Sequence, residues 1–180
     1  MNLNKLRDEA FETAKAHGWH DEKQPDRTYL MLIITEIAEA VQADRKWRYA
    51  HKELFDTDEK NENVWAFNFE SYIKNRVEDE LADIVIRCLD LAGLHDYDLS
   101  RVKAVSERNL LTIKDDFPKF AYRLCQLLTN EDDSLNERLN YGIAGTIGYC
   151  KQKDIDIEWF IEQKMKYNKL RPYKHGNKKY

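Results

Sequence analysis

The chain has 180 residues, a net charge of −4 at pH 7 and 42% hydrophobic residues. This length fits a single domain with an ordinary core, and the negative charge argues against a general nucleic-acid-binding protein. The longest unbroken apolar run, residues 30–34, is far too short to cross a membrane. The three cysteines are an odd number and form no Cys-x-x-Cys motif, which favours reduced thiols in a cytoplasmic protein.

Helical spacing of apolar residues dominates the chain. Only six glycines and three prolines interrupt it, so we predict an all-α helical bundle. A stretch rich in charge and Asn, residues 50–63, is expected to be a loop. The seven helices expected, in chain order, cover about residues 3–17, 25–48, 70–92, 98 or 100 to 111, 115–128, 135–150 and 156–171.

Two pairs of acidic residues lie inside the second and third predicted helices, which are among the most apolar. Glu36 and Glu39 are three residues apart, as are Glu80 and Asp83, so each pair is expected on one helix face. An isolated pair of acids at this spacing more often lies on a solvated helix face. Carboxylates buried in apolar helices instead need positive charge, and a divalent cation such as Mg²⁺ or Mn²⁺ supplies it.

The C-terminal part of the chain is basic. Residues 165–180 contain six Lys or Arg and no acid, a composition that suits phosphate. Lys164 and Arg171 lie seven residues apart on one predicted helix face, with Asn168 between them. We interpret the two cations as candidate phosphate contacts, with Asn168 as a candidate hydrogen-bond partner beside them. A basic helix end favoured only by the helix dipole is the alternative.

An internal similarity suggests that the single domain consists of two halves. The Glu-Leu-Ala-Asp run that ends at Asp83 resembles the Glu-Arg-Leu-Asn run that ends at Asn140. If this is a true repeat, residues 1–112 form a metal-bearing half, and residues 113–180 form a degenerate half with a phosphate-binding tail. Chance similarity between helices is the alternative. Three glycines in the second half predict close helix packing: Gly142, Gly145 and Gly148.

The order E-x-x-E, spacer, E-x-x-D resembles the MazG-like members of the all-α nucleoside triphosphate pyrophosphohydrolase superfamily. Residues 16–19 resemble the end of that family's first helix, and residues 80–87 resemble its second metal helix. Residues 164–176 are similar to its C-terminal phosphate-binding segment. The chain departs from the family in a longer spacer, residues 49–70, and in an additional block, residues 110–152.

This resemblance implies Mg²⁺-dependent hydrolysis of nucleoside triphosphates, dNTPs in particular, to a monophosphate and pyrophosphate. Glu36, Glu39, Glu80 and Asp83 would hold the metal, and Glu36 or Glu39 would deprotonate the attacking water. The family also implies a homo-oligomer, either a dimer or a tetramer, whose partner is the nucleotide rather than nucleic acid or membrane. A non-catalytic nucleotide-binding or regulatory protein on the same scaffold is the alternative.

Overall fold

The fold is an all-α bundle, as the sequence predicts. The structure is a computed structural model that describes residues 1–56, 58–100, 102, 116–177 and 179. Those residues form eight α-helices and one 3₁₀ turn, and none of them forms a β-strand. The elements are α1 Leu3–Ala16, α2 Asp26–Arg45, the 3₁₀ turn Lys52–Leu54, α3 Glu62–Tyr72, α4 Val77–Leu94, α5 Phe117–Thr129, α6 Leu135–Gln152, α7 Ile157–Leu170 and α8 Lys174–Asn177.

Helix α4 is the centre of the bundle, because α1, α2, α6 and α7 all pack on it. Twelve of its 18 residues are buried. Most are aliphatic, such as Leu81, Val85 and Leu89, but Asp79 and Glu80 are buried among them. The central position of α4 therefore explains how acidic side chains come to lie inside the protein.

Helices α2 and α4 run antiparallel. Asp26, at the start of α2, pairs with His95, which follows the end of α4. Further along α2, Glu36 pairs with Arg87 of α4. This arrangement brings the acidic positions of the two helices to the same level of the bundle.

The prediction of one continuous helix over residues 70–92 is wrong at residues 73–76. The structure has two helices there, α3 and α4, joined by a turn over residues 73–76. Asn75 has a φ of 60°, which a continuing helix does not allow. The backbone N–H of Asn75 donates to Asp79 Oδ2 at 2.9 Å, and Arg76 donates to the carbonyl of Ser71. These two hydrogen bonds give side-chain partners to backbone groups of the turn, where the helical hydrogen bonds stop.

Helix α3 is held by aromatic packing. Trp65 and Phe69 are fully buried and stack on each other at a centroid distance of 5.5 Å. Phe69 also stacks on Tyr167 of α7 at 4.6 Å. The long spacer between the two acidic pairs thus contributes to the core of the protein.

The glycines of α6 behave differently from one another. At Gly142 a Cβ would lie only 2.9 Å from Cys88 Sγ of α4, so the predicted close packing is confirmed there. Gly145 is also buried. At Gly148 nothing lies within 4 Å of the Cβ position, so close packing is wrong for that residue. The two-half symmetry stays a prediction.

Two further expectations concern the fourth predicted helix and membrane-spanning helices. The fourth predicted helix, from residue 98 or 100 to 111, falls mainly outside the described residues. Of the helices that are described, none is both long and apolar enough to span a membrane.

Candidate metal centre and adjoining cleft

Three acidic side chains meet between α2 and α4. Glu36, Glu80 and Asp83 each offer a carboxylate oxygen, and these oxygens lie within 4.8 Å of one another. Glu36 and Glu80 are 5% and 3% exposed, whereas Asp83 is half-buried. Three carboxylate oxygens at this spacing can reach one ion, and they are the hard ligands that Mg²⁺ and Mn²⁺ prefer. We call these three residues the acid cluster.

Glu39, the fourth predicted metal ligand, is not part of the acid cluster. Its side chain is exposed. A helix has 3.6 residues per turn, so a step of three residues leaves Glu39 about 60° around α2 from Glu36. That rotation is enough to move it from the face packed on α4 to the solvent.

Asp79 is a buried acid beside the cluster that the sequence motifs do not single out. Its Oδ2 accepts hydrogen bonds from the N–H of Asn75 and from Lys164 Nζ, at 2.9 and 2.7 Å. Its Oδ1 is buried and has no partner in the described part of the chain. Acidic residues are common in the first turn of a helix for electrostatic reasons, so sequence alone does not reveal that Asp79 is buried.

Lys164, predicted to contact phosphate, instead enters the acid cluster. The residue is 4% exposed, and its Nζ lies 2.7 Å from Asp79 Oδ2 and 2.8 Å from Asp83 Oδ2. Burial alone would lower the pKa of Lys164, but Asp83 and Asp79 raise it above its ordinary value. Lys164 is therefore an ammonium ion that offsets part of the cluster's negative charge.

Arg87 supplies the second cation of the cluster. Its Nε donates to Glu36 Oε1 at 2.5 Å. Burial and the nearby Asp83 raise the pKa of Glu36, while Arg87 opposes that rise. The sequence contains Arg87 one turn after Asp83, but that spacing does not say which acid of another helix it meets.

The charges of this region do not balance within the described residues. The ionisable groups that share it are four acids and two cations: Glu36, Asp79, Glu80, Asp83, Lys164 and Arg87. With these six groups ionised, two negative charges are left over, and Glu39 adds further negative charge near Glu36, so the region can accommodate a divalent cation. Burial, Asp79 and Asp83 instead raise the pKa of Glu80 to about 9, so it holds a proton at neutral pH. The donor set thus fits a divalent ion that displaces this proton.

A cleft adjoins the acid cluster. It lies between α1, α2, α4, α7 and the residues that follow α7, which we call the C-terminal segment. With its open mouth it encloses about 1030 Å³. Asp83 is the member of the cluster that reaches the cleft wall. Six Arg, Lys and His residues line the cleft: Arg87, Arg171, Lys174, Lys179, His17 and His175.

Two of the three predicted substrate-binding residues line this cleft, namely Asn168 and Arg171. The side-chain oxygen of Asn168 is sealed from solvent and accepts no hydrogen bond from the described residues. The backbone carbonyl of Arg171 faces His17 Nε2 at 2.9 Å, which ties the end of α7 to α1.

The C-terminal segment is fixed across the end of α1. The N–H of Lys174 donates to the carbonyl of His17 at 2.9 Å, and the hydroxyl of Tyr173 donates to Asp21 Oδ2 at 2.5 Å. Gly18 has a φ of +79°, and a Cβ there would lie 2.1 Å from the Tyr173 ring. Only glycine fits beneath this ring, and the fit brings Lys174 to the cleft.

No protein-family model matches the chain, no curated protein matches it, and no solved structure matches it. The resemblance to MazG-like pyrophosphohydrolases therefore depends on the sequence motifs alone and stays a prediction.

Proposed function

We propose that the protein hydrolyses nucleoside triphosphates, dNTPs in particular, to nucleoside monophosphate and pyrophosphate with Mg²⁺. The observation that carries this proposal is the acid cluster, whose member Asp83 lies on the wall of a cleft lined by cationic side chains. A triphosphate bears about four negative charges near neutral pH, so its binding and cleavage need both a metal and protein cations. The acid cluster would hold the metal, and the adjoining cleft carries the cationic side chains.

The acid cluster would hold the metal through Glu36, Glu80 and Asp83. Bound there, Mg²⁺ would offset phosphate charge and lower the pKa of a bound water. In the reaction, water attacks the α-phosphorus, the bond to the oxygen bridging the α and β phosphates breaks, and pyrophosphate leaves. Glu36 or the exposed Glu39 would take the proton of the attacking water.

The other residues position the reactants. Lys164 holds Asp83 and Asp79 in place and keeps their charge offset in the absence of substrate. Arg171 and Lys174 would contact phosphate from the cleft wall, because both line it and both are cations. Asn168, which lines the cleft, would hydrogen-bond to sugar or phosphate.

The alternative is a non-catalytic nucleotide-binding or regulatory protein. One observation favours it: Lys164 and Arg87 already bond to Asp83 and Glu36, two of the three proposed metal ligands. A cluster partly neutralised by the protein's own cations has less need of a metal. In that case the cleft would bind nucleotides without cleaving them.

Product analysis separates the two functions. The purified protein is incubated with a panel of ribo- and deoxyribonucleoside triphosphates, with and without MgCl₂. We expect equal amounts of pyrophosphate and monophosphate, formed only with the metal. Release of orthophosphate instead, or nucleotide binding without any product, would contradict the proposed reaction.

We also infer that the protein is a cytoplasmic homo-oligomer. Large apolar side chains remain exposed on separate elements, including Met31, Phe67 and Tyr122, and subunit contacts would cover such groups. Light scattering coupled to size-exclusion chromatography measures the mass; a value of 21.5 kDa would identify a monomer and contradict this inference. The three cysteines are free, which suits a reducing compartment.

A further inference from the structure

Asp90 lies on the wall of the cleft, away from the acid cluster, and pairs with the buried His20 behind it. Asp90 and Asp83 both line the cleft and lie seven residues apart on α4. Seven residues are two helical turns, or about 10 Å. The side chains of His20 and Asp90 are 6% and 17% exposed, and His20 Nε2 lies 2.7 Å from Asp90 Oδ1.

The hydrogen bonds of this pair leave one acceptor unused. Tyr29 lies on the other side of His20, with its hydroxyl 3.3 Å from Nδ1. Tyr29 can donate to Nδ1 while Nε2–H donates to Asp90 Oδ1, which satisfies both nitrogens of a neutral imidazole. Asp90 Oδ2 has no hydrogen-bond partner in the described part of the chain, yet it is not among the sealed, unpartnered atoms. This oxygen therefore keeps some access to solvent, and Asp90 is one of the residues that line the cleft.

The carboxylate of Asp90 suits the nucleoside part of a nucleotide better than its phosphates. A carboxylate oxygen accepts hydrogen bonds, and it repels the oxygens of a triphosphate, which have no proton to donate near neutral pH. The nucleoside part of a nucleotide is neutral and carries donors, which are the sugar hydroxyls and the N–H groups of the base. With the phosphates at the acid cluster, the nucleoside of an extended nucleotide would reach Asp90, which lines the same cleft about 10 Å along α4.

We propose that Asp90, oriented by His20, accepts a hydrogen bond from the nucleoside of the substrate and thereby determines which triphosphates bind. This inference rests on the proposed function, because it takes the phosphate end of the substrate to lie at the acid cluster. The donor is a sugar hydroxyl or a base N–H. Asp90 is thus a specificity-determining residue, and His20 and Tyr29 are positioning residues.

A purely structural role makes a different prediction. The pair connects the segment after α1 to α4, and His20 also contacts the ring of Phe11 at 5.1 Å. If that connection is its whole purpose, its loss affects every ligand of the cleft equally. The experiment must therefore separate nucleoside contacts from phosphate contacts.

Inorganic tripolyphosphate provides that separation, because it has the phosphates without a nucleoside. Asp90→Asn keeps the size of the side chain and an oxygen for His20. We expect the variant to weaken nucleoside triphosphate binding about tenfold or more, as loss of a hydrogen bond to a charged group does. Its affinity for tripolyphosphate should change less than twofold. Equal losses for both ligands, or no loss for either, would overturn the proposal.

A second, more exposed histidine–aspartate pair serves as the control. His95 Nε2, just after α4, lies 2.8 Å from Asp26 Oδ1 at the start of α2, and neither residue lines the cleft. Asp26→Asn should leave the affinities for both ligands unchanged. A nucleoside-selective loss in Asp26→Asn equal to that in Asp90→Asn would show that the effect is not local to Asp90.

Changing the ligand identifies the donor. The unmodified protein and Asp90→Asn are titrated with ribo-, 2′-deoxy- and 2′,3′-dideoxynucleoside triphosphates and with base analogues that lack an exocyclic amino group. The donor whose removal weakens binding to the unmodified protein, but not to Asp90→Asn, is the partner of Asp90. If no removal weakens binding, the proposal fails. Pyrophosphate release tests the reaction separately: nucleoside-dependent binding without turnover would remove the proposed function and leave the role of Asp90 standing.

Discussion

Lys164 Nζ lies 2.8 Å from Asp83 Oδ2, so the central helix and α7 meet through an ion pair inside the acid cluster. The same ammonium group bonds to Asp79, which has no access to solvent. Breaking a buried ion pair by removing one partner is strongly destabilising, because the other charge is left uncompensated. Lys164 is therefore as much a part of the core as of the site.

Replacing Lys164 by Gln should destabilise the protein by about 3–5 kcal/mol, since Asp79 and Asp83 lose their buried cation. Lys169→Gln is the matched control, because Lys169 lies on the same helix with an exposed partner, Glu9. We expect the control to change the free energy of unfolding by less than about 1 kcal/mol. Urea denaturation measures both. Equal effects would mean that the ion pair of Lys164 contributes no more than a surface pair.

Mg²⁺ should recover part of the stability lost in Lys164→Gln, because a divalent cation in the acid cluster supplies charge that the variant lacks. The denaturation curves are repeated with MgCl₂ and, for ionic strength, with NaCl. The expected result is a larger Mg²⁺-dependent gain in the variant than in the wild type. A gain that NaCl reproduces would indicate screening rather than binding.

Glu80 should make the metal-free protein less stable as pH rises. Its ordinary pKa is 4.5, and the folded protein raises it to about 9. Between these values the unfolded chain binds fewer protons than the folded one, so the contribution of Glu80 to the free energy of unfolding falls with increasing pH. Glu80→Gln removes the ionisable group and should raise the melting temperature at pH 8 by about 3 °C or more.

The metal dependence of the same variant provides a second measurement. Mg²⁺ should raise the melting temperature of the wild type and have little effect on Glu80→Gln. Glu39→Gln is the control, because Glu39 is exposed and acts on the cluster only through its charge near Glu36, which is a smaller effect than that of Asp83. We expect its metal-free melting temperature to differ from that of the wild type much less than that of Glu80→Gln does. Equal stabilisation of the two variants would contradict the special role of Glu80.

The extent to which the sequence predicts this structure differs between fold and site. The caps and the helical spacing locate α1, α2, α5, α6 and α7 to within a few residues. The turn that separates α3 from α4 contains neither Gly nor Pro, so nothing local marks it apart from Asn75, which tolerates a positive φ. The ends of both helices also bond to distant residues: the N–H of Val77 donates to the carbonyl of Arg48, and the N–H of His51 donates to the carbonyl of Tyr72. A sequence does not display such contacts.

For the site, the sequence identifies acids that lie within strongly apolar helices. This criterion correctly selects Glu36, Glu80 and Asp83 as members of the acid cluster. The exposure of Glu39 is missed because residues three apart share a face only approximately. The ion pairs of Lys164 and Arg87 join positions 81 and 51 residues apart from their partners Asp83 and Glu36, and no local pattern encodes such pairings.

The glycines of α6 offer a matched pair of substitutions in one helix. Gly142→Ala should destabilise the protein by about 1–3 kcal/mol, because the new methyl group meets Cys88 Sγ at 2.9 Å and Leu128 Cδ2 at 3.1 Å. Gly148→Ala should stabilise it by about 0.5–1 kcal/mol, since the site is open and Ala is the better helix former. Thermal and urea denaturation would show these opposite effects. Two changes in the same direction would contradict the helix contact.

The last prediction concerns the cations of the C-terminal segment. Removing all residues after position 163 would delete buried core residues of α7, including Met165 and Tyr167, so point variants are the better test. Arg171→Gln combined with Lys174→Gln should weaken Mg²⁺-dependent binding of tripolyphosphate about tenfold or more, because charged hydrogen bonds to phosphate are lost.

The Mg²⁺ affinity of this double variant, measured without phosphate ligands, should stay within about twofold of the wild type. The reason is that Arg171 and Lys174 line the cleft, whereas the metal ligands belong to the acid cluster. Isothermal titration of each ligand separates the two effects. Equal losses of metal and tripolyphosphate affinity would show that the substitutions disturb the packing of α7 on α4, and unchanged affinity for both would remove these cations from phosphate binding.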